Sequence, residues 1–197
     1  MTSPLLILGV SIFILAHLIP VYAPDFRTKT MDRMGALPYR LLFGSIAAAC
    51  LYAITLGWQT SDPLFIYEPG QAVFHFMPLV TATGFIFLAS AFLPTKLRNV
   101  FPDARMIGIG LWAAAHLLVN GDTRSLWLFG GFLLWSLLAI VGNHTHAAQK
   151  RQASAPQTHK PQIKYDAIAV CIGLALAAGA TALHTTIIGV SPLPYAG

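Results

Sequence analysis

Residues 4–22 read PLLILGVSIFILAHLIPVY, a run without a single Lys, Arg, Asp or Glu. At 1.5 Å per residue, a helix of that length comes close to spanning the roughly 30 Å hydrocarbon core of a bilayer. An isolated strand in the same place would leave backbone donors and acceptors unpaired in lipid, at a cost of several kcal/mol apiece, so the run is read as a membrane-spanning helix. Val21-Tyr22-Ala23 has the small-residue look of a leader cleavage site. No basic residue precedes the run, however, and it is expected to be a retained first helix.

Five more apolar stretches follow outward from this one, at 39–57, 72–93, 103–120, 125–142 and 166–189. The expected fold is therefore all-α, a polytopic transmembrane bundle of about six helices. Residues 1–142 would carry helices one to five, and 143–165, rich in Ala, Gln, Ser, Pro and Lys, a flexible loop. Residues 166–197 would form the sixth helix and a short tail. Composition agrees: 56% of residues are hydrophobic and 10% charged, against about 25% charged in an ordinary soluble domain. Mean hydropathy is +0.66. A chain of 197 residues buries only about 70% of its unfolded surface, so the apolar excess must face lipid.

The net charge of +5 does not indicate nucleic acid, because the basic residues fall between apolar runs and form no common face. Their distribution sets orientation instead. Connectors 23–38, 94–102 and 143–165, with their helix ends, hold Arg27, Lys29, Arg33, Arg40, Lys96, Arg98, Arg105, Lys150, Arg151, Lys160 and Lys164, whereas the opposite side holds only Arg124. Eleven against one places the first set in the cytoplasm and both termini in the periplasm of a bacterial inner membrane. Tyr22, Tyr39, Trp58, Tyr67 and Trp127 lie at the expected interfaces, where amphipathic rings settle.

Several chemistries find no support. Cys50 and Cys171 are isolated in apolar runs, which argues against a disulfide framework or a thiolate metal site. The chain shows no phosphate-binding Gly-rich loop, no paired intramembrane carboxylates and no Ser/His/Asp set. No internal repeat of the kind found in many transporters is visible.

Four histidines lie inside apolar stretches: His17, His75, His116 and His184. One intramembrane histidine is more often a hydrogen-bonding link between helices, but four in so small a bundle point toward a ligand role. Neutral imidazoles on facing helices are a simple means of holding b-type haem. Counted from the helix midpoints, His75, His116 and His184 sit about 7–11 Å toward the outer face and His17 about 6 Å toward the cytoplasm. Depth thus favours a pair drawn from the outer three. His144, His146 and His159 fall in the connector and are expected to be solvated. Asn120-Gly121-Asp122 is good turn chemistry, with a lesser alternative in which Asp122 orients the His116 ring.

The run LWAAAHLLVNGD at 111–122, followed by LFGGFLLW at 128–135, resembles the NnrU family of membrane proteins. His17, the run YRLLF at 39–43 and Leu64-Phe65 strengthen the likeness, which covers about residues 5–142. The resemblance implies a compact helical bundle linked to denitrification and nitric oxide metabolism. It also implies kinship with the plant 15-cis-zeta-carotene isomerase, which holds haem b between two histidines and isomerises a double bond in a redox-dependent way. Carried over by motif, those ligands fall on His17 and His116, a pair that the depth count separates by about 14 Å. His116 is selected by both arguments, His17 by resemblance and His75 by depth. Two departures stand out. The Arg-His-Pro that often precedes the fourth helix is here Val100-Phe101-Pro102, and the plant enzyme's cysteine three residues before the histidine is here Ala113, so thiol ligand switching is not available.

Two functions follow as expectations. One is a haem b protein acting in redox chemistry, with iron on His116 and His17 and a hydrophobic small molecule or a redox protein as partner; if it is an enzyme, it is a haem-dependent isomerase or redox protein. The other is a non-enzymatic assembly or transport subunit whose histidines only knit helices together.

Overall fold

The computed structural model describes residues 1–151 and 162–189. Its regular elements there are all helices: α1 (Pro4–Tyr22), α2 (Pro24–Met34), α3 (Ala36–Gln59), α4 (Gln71–Ser90), α5 (Lys96–Val100), α6 (Ala104–Val119), α7 (Thr123–Arg151) and α8 (Ile163–Ile188). Five are long and apolar enough to cross a membrane: α1, α3, α4, the Thr123–Thr145 portion of α7, and α8. Leu8, Leu15 and Leu79 are 57%, 64% and 68% exposed on them. Apolar surface on that scale has no stable place in water, and the chain is a helical membrane protein.

Where six comparable spans are expected, five appear together with a shorter sixth apolar helix. Stretch 103–120 is realised as α6, 16 residues long and therefore about 24 Å. Pro102 stands just before it and the turn at Asn120-Gly121-Asp122 ends it, so α6 cannot lengthen at either end. A helix this short is accommodated where the bilayer thins or where its ends stay covered by protein.

The connectors are also more helical than their composition suggests. Residues 23–38 contain α2, with Pro24 in its first turn, Asp25 beside it and Arg33 in its last turn, each at the end its chemistry favours. Gly35, at φ +89°, makes the break between α2 and α3. Helix α7 continues through Arg151 and α8 starts at Ile163, so both ends of the loop expected at 143–165 are helical. The rest of that loop, with His159, and the tail beyond residue 189 lie outside the described residues.

The helices divide into two compact units, α1, α2, α3 and α7 in one and α4, α5, α6 and α8 in the other. In the first, α1 packs on both α3 and α7 around buried Leu6, Val10, Phe13, Ile54 and Trp135. The end of this unit that carries the N-terminus is sewn by backbone bonds. Gly121 O accepts from Ile66 N at 2.7 Å and Tyr67 N at 3.1 Å, Thr123 N donates to Leu64 O at 2.9 Å, and Asp62 N donates to Met1 O at 3.1 Å.

In the second unit α4 is central, with α6 and α8 packed along it. Its seams are made of small residues. A Cβ placed on Gly84 would stand 2.9 Å from Gly108 O, and one on Gly108 would stand 2.6 Å from Gly84 O. A Cβ on Gly173 of α8 would stand 2.6 Å from Ile86 Cα. Backbones this close are the membrane form of helix packing, where van der Waals contact replaces the missing hydrophobic drive. Short α5 is capped twice: Thr95 Oγ1 accepts from Arg98 N at 3.0 Å, and Asp166 of α8 accepts from Lys96 N at 2.9 Å.

Candidate histidine ligand site

His116 sits on α6, 8% exposed, directly after a stretch that holds the buried small residues Ala113 and Ala115. Its Nδ1 lies 2.8 Å from the carbonyl oxygen of Trp112, one turn earlier on the same helix. A carbonyl only accepts, so Nδ1 carries the proton and the neutral ring holds its lone pair on Nε2. This is the tautomer in which metal-bound histidines are held when their second nitrogen donates to a backbone carbonyl. The Trp112 ring lies 4.9 Å from the imidazole and limits its rotation.

His17, on α1, repeats the local geometry: Nδ1 lies 2.7 Å from Phe13 O, which again leaves Nε2 with the lone pair. Its surroundings differ. The ring stacks on Phe13 at 4.0 Å and meets the rings of Phe43 and Trp135 at 4.9 and 5.2 Å. Three helices of the first unit thus converge on this imidazole. Sequence reasoning selected His17 without these aromatic neighbours, although Phe43 and Trp135 stand inside the YRLLF and LFGGFLLW runs that carry the family likeness.

The remaining candidates separate by burial. His75 is exposed on α4, and His184 is half-buried on α8 where most of its neighbours along the helix are exposed. His116, His75 and His184 belong to the unit built on α4, and His17 to the unit built on α1. His144 is exposed near the end of α7. Among the described residues no three His, Cys, Asp or Glu side chains lie close enough to hold one metal ion.

Asp122 proves to be the N-terminal cap of α7. Its Oδ1 accepts from Ser125 N at 2.9 Å and its Oδ2 from Ser125 Oγ at 2.8 Å, while Arg124 Nε stands 3.7 Å from Oδ1. The carboxylate serves the turn, as its place in Asn-Gly-Asp suggests. The Arg124 guanidinium lies over the Trp58 ring at 4.1 Å, so the one basic residue on the sparsely charged side is held at an aromatic face.

An apolar cleft of about 490 Å³ opens in the second unit between α4, α5 and α8, with Ile86, Leu97, Phe101 and Val170 in its wall. It lies at the end of α4 that carries Ser90, away from His75.

No curated protein and no solved structure matches this chain. The NnrU protein family does match, over residues 5–192. The match reaches beyond the likeness at 5–142 and takes in α8 with His184, which makes the final helix part of the family's pattern. The intramembrane histidines, the short α6 and the Gly-Asp turn that caps α7 thus stand in a chain that belongs to the NnrU family.

Proposed function

We propose that this NnrU-family protein is a haem b protein of the bacterial inner membrane, in which His116 would be one of the residues holding the haem. The observation that carries this reading is the backbone-fixed tautomer of His116, which presents Nε2 as a neutral donor from a buried, small-residue stretch of α6. The donor chemistry fits haem iron: neutral imidazoles in an apolar medium, with no cluster of three ligands of the kind that closes a zinc site among the described residues. A second imidazole to hold the haem would come from the other intramembrane histidines, and His17, which the family resemblance implies, shares the prepared tautomer.

Haem so held supplies a one-electron ferric/ferrous couple. We assign that couple to nitric-oxide-linked respiration or to redox-gated isomerisation of a polyene. The chain's own residues fix the His116 ring through Trp112 O, exclude water by burial, and lower the local polarity with Ala113 and Ala115. A hydrophobic substrate would reach such a site from the lipid. The cleft near Ser90 lies elsewhere and is not assigned to it.

An absorption spectrum of the detergent-purified protein before and after dithionite tests this reading. A Soret band that sharpens and shifts on reduction, with protohaem in the pyridine haemochrome assay, is the expected result. The His116→Ala protein should lose or shift that spectrum. A preparation without haem, from cells fed a haem precursor, would overturn the proposal.

The aromatic packing around His17 favours a second reading, an assembly or transport subunit with structural histidines. In that case His17→Gln, His75→Gln and His116→Gln all retain function and no chromophore co-purifies.

A further inference from the structure

The cleft between α4, α5 and α8 has one closed end. There α8 meets the α4 backbone: a Cβ on Gly173 would stand 2.6 Å from Ile86 Cα, and Ile86 is itself part of the cleft wall. Toward the Ser90 end the space between α4 and α8 stays open, and α5 packs on both helices beside it. Along α8 the wall extends from Val170 to Ile163, a length of about 10.5 Å. One leaflet offers about 15 Å of hydrocarbon, half of the core thickness, so the cleft matches the part of an acyl chain nearest its head group. Its volume of about 490 Å³ falls within the range of about 300–1,000 Å³ usual for sites that hold small molecules.

The chemistry changes at the open end. The deep wall is Ile86, Leu97, Phe101 and Val170, whereas Lys96 stands in the wall where α5 begins. Arg98 follows on α5 and Lys164 on the first turn of α8, next to Ile163, and all three cations are exposed. Among the described residues no ion pair holds any of them. Asp166 is the one carboxylate in the wall, and its Oδ1 already accepts from Lys96 N and Leu97 N. Three cations against one carboxylate leave this end positive, on the side of the membrane where the basic connectors gather.

We infer that the cleft is a binding site for one anionic phospholipid, with an acyl chain between α4 and α8 and the phosphate against Lys96 and Lys164. A basic rim over an apolar gap between membrane helices is the arrangement that captures anionic head groups. Lipid that merely surrounds the bundle needs neither the closed inner end nor the unpaired cations. The bound lipid would join α5 to α8 beside the Asp166 cap and fill space that the protein leaves open. The site lies within the α4 unit and is independent of the haem reading.

The test titrates delipidated full-length protein in detergent with phosphatidylglycerol or phosphatidylcholine of identical acyl chains. Its readouts are lipid bound per chain by native mass spectrometry and the thermal midpoint. The wild type should retain one phosphatidylglycerol about tenfold more tightly than phosphatidylcholine, and that lipid should raise the midpoint. Lys96→Ala and Lys164→Ala should each weaken phosphatidylglycerol about fivefold and leave phosphatidylcholine little changed. Val170→Phe narrows the cleft from an exposed position on α8 and should weaken both lipids. Lys29→Ala, which removes an exposed cation on α2 in the other unit, should change neither. Equal retention of the two lipids, or the same loss in Lys29→Ala as in the other lysine variants, would identify ordinary surrounding lipid and overturn the proposal. Unchanged binding in Val170→Phe or in both Lys96→Ala and Lys164→Ala would overturn it as well. So would a wild type that retains no lipid, as when a second copy of the chain fills the cleft.

Discussion

Tyr67 shows how a single side chain reports on the capped end of the α1 unit. Its hydroxyl donates to Asn120 O at 3.2 Å. Partial burial, followed by the nearby Asp122 charge, raises its phenol above the ordinary value of 10.0. The folded protein therefore keeps Tyr67 neutral at a pH where the unfolded chain would ionise it. The associated stability is present below about pH 10 and is lost as pH climbs through the raised value. Asp122→Asn preserves the α7 cap, since Asn caps as well as Asp, but removes the charge. Ultraviolet phenolate titration, read as the difference from Tyr67→Phe, should show the Tyr67 midpoint falling in Asp122→Asn, and an unchanged midpoint would refute the assignment. Gly121 is a second sensitive residue, because a Cβ there would overlap the Tyr67 carbonyl. Gly121→Ala should cost about 1–3 kcal/mol in a detergent melt. Gly44→Ala is the control: nothing lies within 4 Å of its Cβ position, and alanine favours the helix by up to about 1 kcal/mol.

Among the elements, α4 with α6 depends on the Gly84–Gly108 contact. Leucine at either position would force the two backbones apart, and both helices carry apolar side chains that find lipid equally acceptable. Gly108→Leu should therefore lower thermal stability and, on the haem reading, release haem before the helices unfold. Circular dichroism and the Soret band followed together in one melt would show the two events separate. Helix α5 offers a smaller test. Asp166 accepts from Lys96 N and, at 3.3 Å, from Leu97 N, acting as a cap supplied by another helix. Asp166→Ala should cost about 1 kcal/mol and speed hydrogen exchange at Lys96 and Leu97, whereas exchange unchanged at those amides would deny the cap its role. The glycine contact sets the level of α6 on α4, and the Asp166 cap ties the start of α8 to α5.

For the molecule as a whole, reporter fusions at Arg98 and at Arg124 should mark opposite sides of the membrane, with Arg98 cytoplasmic; the same side for both would break the topology. The sequence by itself determined that the chain threads a bilayer and roughly where its helices lie. Those properties follow from composition and from the demand that backbone polar groups in lipid pair within a helix, so they can be read locally. The Asp122 cap of α7 and the placing of Pro24 and Arg33 in the first and last turns of α2 are local too, although only the turn at Asp122 was legible among the surrounding charges. The tertiary structure decided what depends on contact between distant residues. It placed Phe43 and Trp135 around His17 and grouped α4, α6 and α8 about glycine seams. A hydropathy pattern gives each residue's depth within its own helix, but the offset between helices is set by where small residues let two backbones touch, and only the packed fold contains that information.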